Sequence, residues 1–178
     1  MGLASACIAL GLAAGLTGCS TSATGTTKSV EASISRAPSE RAEQLVQRAR
    51  KLYVEYLLAT QTIAEKGAGN FGRLRPLLSS KAYKAEIDAF QSQKDRGIRT
   101  TGPSQLLRFQ AQRVEARNGK LVAYACIDVS KVRVVNKSGK DITPASRPDK
   151  QTLLPSFETE GGRLVLRENG TWSGASIC

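Results

Sequence analysis

The chain predicts an α+β domain, with helices first and an antiparallel sheet after them. Three observations carry this. Apolar residues recur at three- and four-residue spacing from Ala42 to Ile63. From Gly102 onward the period changes to two. Turn signals at Asn118-Gly119, Ser138-Gly139-Lys140-Asp141 and Gly161-Gly162 divide that second half. Helices followed by a run of strands pack as one curved antiparallel sheet around a long helix.

The first element is an export signal. Residues 1–18 carry no charge, and Cys7 to Leu16 is a run of Ile, Ala, Leu and Gly. The run is shorter than the ~20 apolar residues that span a bilayer. It fits the apolar region of a signal peptide. Leu16-Thr17-Gly18-Cys19 follows, and this resembles the lipobox of bacterial lipoproteins. The basic residues that usually precede such a run are missing between it and Met1. The resemblance implies a diacylglycerol on the Cys19 sulfur, cleavage before Cys19, and a palmitate-type anchor. Two or more acyl chains hold stably, at about 0.8 kcal/mol per buried methylene. The competing reading is a secreted protein cleaved near Gly18 with Cys19 free. Residues 19–38 are rich in Ser, Thr, Ala and Gly and read as a flexible tether. Fully extended, it reaches up to roughly 60 Å at about 3.3 Å per residue.

The domain occupies residues 39–178. Ser39 reads as a helix cap with Glu40 in the first turn. Leu45, Val46, Ala49, Leu52, Tyr53, Tyr56, Leu57 and Ile63 form a wide stripe, with Arg41, Gln44, Gln47, Arg48, Lys51 and Glu55 opposite. So broad a stripe suits packing on a sheet. The helix ends near Lys66-Gly67. A second helical region runs from about Leu74 to Lys94, interrupted near Leu78-Ser79-Ser80, with Leu77, Leu78, Ala82, Tyr83, Ile87 and Phe90 facing inward. Leu107, Phe109 and Ala111 alternate, and Val114 and Ala116 continue with shifted parity, which predicts a bulge near Gln112-Arg113. Asn118-Gly119 marks a hairpin. Leu121 to Val135 reads as one long or kinked strand. The stretch Thr143 to Asp149, with two prolines, reads as a loop. Thr152 to Thr159, Arg163 to Arg167 and Thr171 to Ser176 read as three shorter strands, joined at Gly161-Gly162 and Asn169-Gly170.

This order resembles the cystatin-like, NTF2-like family of cone-shaped domains. The lower half is similar to small actinobacterial lipoproteins of that fold, through Ala125-Cys126-Ile127-Asp128, Val132 to Val135, Gly139-Lys140-Asp141, Arg147-Pro148, Leu164-Val165-Leu166, Trp172 and Cys178. The resemblance implies a cone with a pocket between helix and sheet. In catalytic members, carboxylates or a Tyr in that pocket transfer protons.

Four cysteines reduce to two after processing, since Cys7 leaves and Cys19 takes lipid. Cys126 and Cys178 remain in an exported, oxidising setting, and a disulfide between them would pin the C-terminus to the sheet. A catalytic or metal role for the pair finds no His partner and no second thiolate pair. The chain has no histidine at all. That removes the commonest general base and metal ligand. Asp128, in an apolar strand, is the best catalytic candidate, with Tyr53, Tyr56, Tyr83 and Tyr124 as donors. The competing reading is a strand-end residue bonded to backbone or to Arg133, on the face shared with Cys126, Tyr124 and Val122. Trp172 reads as a core or rim plug. Asp149, Glu158 and Glu160 match no calcium loop. No metal or cofactor is expected.

The net charge of +11 favours anionic partners. The cations are spread from Lys28 to Arg167 and lack interleaved aromatics, so no nucleic acid is expected. The expected function is a non-catalytic interaction or binding module, held to the extracytoplasmic face of a membrane by its lipid, with envelope proteins or anionic polymers as partners. The alternatives are a small-molecule carrier with an apolar pocket under the sheet, and an isomerase- or dehydratase-like enzyme using Asp128.

Overall fold

A computed structural model describes residues 29–66 and 71–178, with side chains from residue 39 onward. The expected signal peptide, Cys19, the first part of the stretch read as tether and residues 67–70 lie outside the described residues. Among those that are described, two helices pack on antiparallel sheets, as an α+β fold requires. No described helix is long and apolar enough to cross a membrane.

Helix α1 spans Ser29–Lys66. It begins ten residues before the expected cap at Ser39, so half of the stretch read as tether is helical. Ala32, Ala37, Glu31 and Arg36 propagate a helix well, against the cost of about 3 kcal/mol that an interior proline such as Pro38 imposes. At about 1.5 Å per residue, that half reaches less than half as far as extended chain. Leu45, Ala49, Leu52, Tyr53, Tyr56, Ala59 and Ile63 are buried along one face, at the spacing the sequence shows. Lys66 lies in the last turn, where a cation faces the negative end of the helix.

Helix α2 spans Ser80–Asp95 and is shorter than expected. Leu74 to Leu77 is a turn, not helix, Leu78 bridges to Leu166, and the predicted interruption is the true start. The reason is local. Ser79 Oγ accepts from the Ala82 N–H at 3.2 Å, capping the helix. The segment before the cap adds to a strand edge: Leu166 N donates to Leu77 O at 2.8 Å, and Ser79 N to Leu166 O at 3.0 Å.

The strands are β1 (Arg99–Thr101), β2 (Gln105–Glu115), β3 (Lys120–Asp128), β4 (Arg133–Val135), β5 (Lys150–Glu160) and β6 (Arg163–Thr171). Four form one sheet in the order β2-β3-β5-β6, and β1 pairs with β4 in a second, two-stranded sheet. The stretch Leu121 to Val135 is therefore two strands in two sheets. The chain turns at Ser130-Lys131, and Arg147 ties that turn by donating to Val129 O at 2.8 Å and Val132 O at 2.9 Å.

The register of β2 on β3 shifts between Ala111 and Arg113, where the bulge was expected. A second shift, between Leu106 and Arg108, turns Leu107 outward to 45% exposure, and Leu106 packs on the core instead. Pro155 sits in the central strand β5. Pairing of β5 with β3 lapses between Ser156 and Leu153, where proline has no N–H to offer, and the register then resumes unchanged. The hairpin at Gly161-Gly162 forms, with φ of 55° and 80° at the two glycines. Asn169-Gly170 is not a turn: β6 runs through it to Thr171, and no strand follows.

Candidate functional site

The inner face of the four-stranded sheet meets α1 through aromatic rings. Tyr53 lies 5.8 Å from Tyr56, 6.0 Å from Phe109 and 6.2 Å from Phe157, centroid to centroid. Phe109 and Phe157 are 6.0 Å apart. These distances are those of packed aromatic pairs. The space expected to hold a pocket under the sheet is occupied by these rings.

A polar cluster is built into that face. Tyr53 Oη donates to Asn169 Oδ1 at 2.9 Å, and Tyr56 Oη donates to Glu86 Oε1 at 2.5 Å. Asn169 Nδ2 reaches Tyr56 Oη at 3.5 Å. Three elements meet here: α1 supplies the tyrosines, α2 the carboxylate and β6 the amide. Burial pushes both phenols well above their ordinary range, and the Glu86 charge adds to this at each. The phenols therefore stay protonated and act as donors. Burial also raises the Glu86 carboxyl, against the smaller opposing pull of the Tyr56 hydroxyl. The donors and acceptors are thus spent on one another.

Sequence reasoning missed Glu86 and Asn169. Glu86 had a signal, since it falls on the helical stripe of Ala82, Tyr83 and Phe90. Asn169 had a contrary one, the Asn-Gly pair.

Asp128 lies at the end of β3, on the face away from α1. Its Oδ1 accepts from Ser130 N at 2.8 Å, and the hydrogen bonds from Ser130 hold the carboxyl below its usual range. It is ionised, solvent-facing and engaged with backbone. It does not meet Tyr53, Tyr56 or Tyr83, and Arg133 pairs with Asp141 at 3.4 Å instead. Asp128 therefore does not stand in a pocket between helix and sheet. Glu158 is held below its usual range by Arg167, with Lys120 at 3.6 Å on its other oxygen. Among the described residues no group of three His, Cys, Asp or Glu is placed to hold a metal.

Cys126 and Cys178 form a disulfide with Cα atoms 5.2 Å apart. It closes the chain end over the outer face of the sheet. The tail is also held through Thr152: its Oγ1 lies 3.1 Å from Ser176 Oγ and accepts from Ile177 N at 3.3 Å. Trp172 stacks edge-on against Tyr124 at 5.0 Å and donates Nε1–H to Ala175 O at 2.9 Å. The ring lies so close over Gly174 that a Cβ there would collide with it.

Where α1 and α2 end beside β1 and the turn after β4, a cleft of about 520 Å³ opens. Its floor is apolar, from Ile63, Phe90 and Ile98. Its rim carries Lys66, Lys94, Arg99 and Lys137, all exposed. Glu86 and the two tyrosines of the cluster do not line it.

No protein-family model matches the chain, and no curated protein sequence matches it. Among solved structures it is similar in fold to the intermembrane space region of the chloroplast protein ARC6. The TM-score is 0.52 at 12% identity, over 72% of this chain and 97% of that one. At that identity the likeness is one of fold.

Proposed function

We propose that this chain is a membrane-anchored lipoprotein of the cell envelope, whose cystatin-like, NTF2-like domain serves as a non-catalytic interaction module on the extracytoplasmic side. The observation that carries the proposal is Leu16-Thr17-Gly18-Cys19 closing an uncharged apolar run. A disulfide-bonded domain downstream is compatible with export. Two features support a non-catalytic role: rings fill the space under the sheet, and Asp128 is tied to backbone on the outer surface. The net charge of +11 favours anionic wall polymers or acidic envelope proteins as partners.

The test is a mass spectrum of the membrane-extracted protein together with palmitate labelling. A mature chain beginning at an acylated Cys19 is the expected result, with Cys19→Ser released from membranes. An unlabelled protein, or a Cys19→Ser variant that still sediments with membranes, would overturn the anchor. Crosslinked envelopes that yield no partner would count against the interaction role.

A further inference from the structure

We propose that the cleft at the C-terminal ends of α1 and α2 binds a single-chain anionic amphiphile, an acyl-type tail carrying a carboxylate or similar head group. The proposal does not rest on lipid attachment at Cys19. Two halves of the cleft specify two halves of the ligand. Ile63, Phe90 and Ile98 form an apolar floor in a space within the roughly 300–1,000 Å³ of small-molecule sites. Around that floor stand four cations and no carboxylate.

Helix-end electrostatics accounts for only half of this rim. Lys66 and Lys94 lie in the last turns of their helices, where a positive charge faces the negative helix end. Arg99, on strand β1, and Lys137, in the turn after β4, have no such reason. None of the four makes an ion pair among the described residues, so each is free to meet an anion. The carboxylates nearest in sequence are engaged elsewhere. Gln61 donates to Glu65 at 3.0 Å, and Gln91 to Asp95 at 2.8 Å.

Lys137 is also held in place. Gly97, at φ 69°, leaves its Cα bare where the stem of Lys137 crosses it, and a Cβ there would collide with Cγ, Cδ and Cε. The stem lies against the chain, as long cationic side chains do over apolar surface. Four like charges gathered over an apolar floor repel one another. An anion among them relieves that repulsion, and its tail covers the floor.

The experiment uses the full-length Cys19→Ser chain, so that no attached acyl chain can fill the cleft and the anchor does not affect the outcome. Dodecanoate, octanoate, neutral monolaurin and dodecyltrimethylammonium are titrated below their micelle concentrations by calorimetry. The expected result is one dodecanoate per chain, at least tenfold tighter than monolaurin and with no binding of the cation. Affinity should rise about fourfold per added methylene and fall with salt. The double variant Lys94→Gln/Lys137→Gln should weaken dodecanoate at least tenfold with an unchanged melting temperature. Equal affinity for the neutral amphiphile, or an unaffected double variant, would overturn the proposal. Binding to anionic phosphatidylglycerol vesicles without binding of monomeric dodecanoate would overturn it too, in favour of plain surface adhesion.

Discussion

The two faces of the four-stranded sheet are held by different means. The inner face of β3 presents Leu121, Ala123, Ala125 and Ile127, each at most 2% exposed, to a helix that brings its own rings and methyls. Burial on that scale is stabilising without covalent help. The outer face presents Val122, Tyr124, Cys126 and Asp128, and among the described residues no helix covers it. What covers part of it is the last seven residues, an irregular segment that has no ladder of its own. A tail of that kind is held by a disulfide, one indole and a few hydrogen bonds to Thr152. Packing secures one side and a crosslink secures the other, so the two should fail separately.

The largest effect belongs to the inner face. Tyr53 is fully buried and joins three ring contacts to one hydrogen bond. Tyr53→Ala should cost about 3–5 kcal/mol and strand the Asn169 amide, which urea unfolding would read as a lower midpoint. Next comes the outer face. The bridge spans a sequence separation of 52, for which the chain-entropy model gives about 4 kcal/mol as an upper value. Cys178→Ser should therefore lower stability by up to that amount. Reductant should destabilise the parent protein and leave the variant unchanged. A parent protein as insensitive to reductant as the variant would show that the bond does not close the tail. Smaller still is Trp172→Ala, at about 1–2 kcal/mol for a half-buried ring whose pairing with Tyr124 contributes about 0.5–1.5. Because bond and indole hold one segment, the two losses should not add. Combined with Cys178→Ser, the Trp172 substitution should cost clearly less than it does alone. Strict additivity would mean that the tail is not one unit.

The sequence made the inner face legible and the outer face much less so. The buried stripe of α1 follows from spacing, because a helix on a sheet must show one wide apolar side. The bulge at Gln112 follows from a parity slip, and the Gly161-Gly162 hairpin from two residues that accept positive φ. The errors share a cause: local chemistry was read where tertiary contacts decide. Asn169-Gly170 carries the composition of a hairpin turn. Yet Gly170 lacks the positive φ such a turn needs, and Asn169 pairs with Pro155 while its amide serves Tyr53. Leu107 looked inward because only one of two bulges left a trace in the pattern. The break between β3 and β4 is hidden because Val129 and Val132 continue an apolar run through the turn. Asp128 stands between apolar residues in sequence, but the alternation of β3 already puts it on the face of Cys126, Tyr124 and Val122, and its bond from Ser130 N is that of a strand-end residue. The cleft was invisible, since its cations come from four separate elements and no spacing links them.

The finest test of the comparison concerns Glu86, whose carboxyl is drawn toward the inner face. Burial raises Glu86 above its ordinary range, and this outweighs the Tyr56 hydroxyl that donates to it. The folded protein therefore binds that proton more tightly than the unfolded chain does. The resulting stability is complete below the ordinary pKa of a glutamate and is lost as pH rises through the raised one. Asp128, on the outer face, has the opposite sign: its lowered pKa gives stability that is present above the ordinary aspartate value and lost as pH falls. Glu86→Gln keeps an acceptor for Tyr56 and cannot ionise. Its stability relative to the parent should rise as pH climbs above the ordinary glutamate range, whereas Asp128→Asn should fall relative to the parent as pH climbs toward the ordinary aspartate value. Both shifts are smaller than the substitutions above, because each group keeps contact with solvent and screening weakens its partners. Urea midpoints of the three proteins as a function of pH would measure them. If the Glu86→Gln difference were flat with pH, burial of the carboxyl would not outweigh the hydrogen bond from Tyr56.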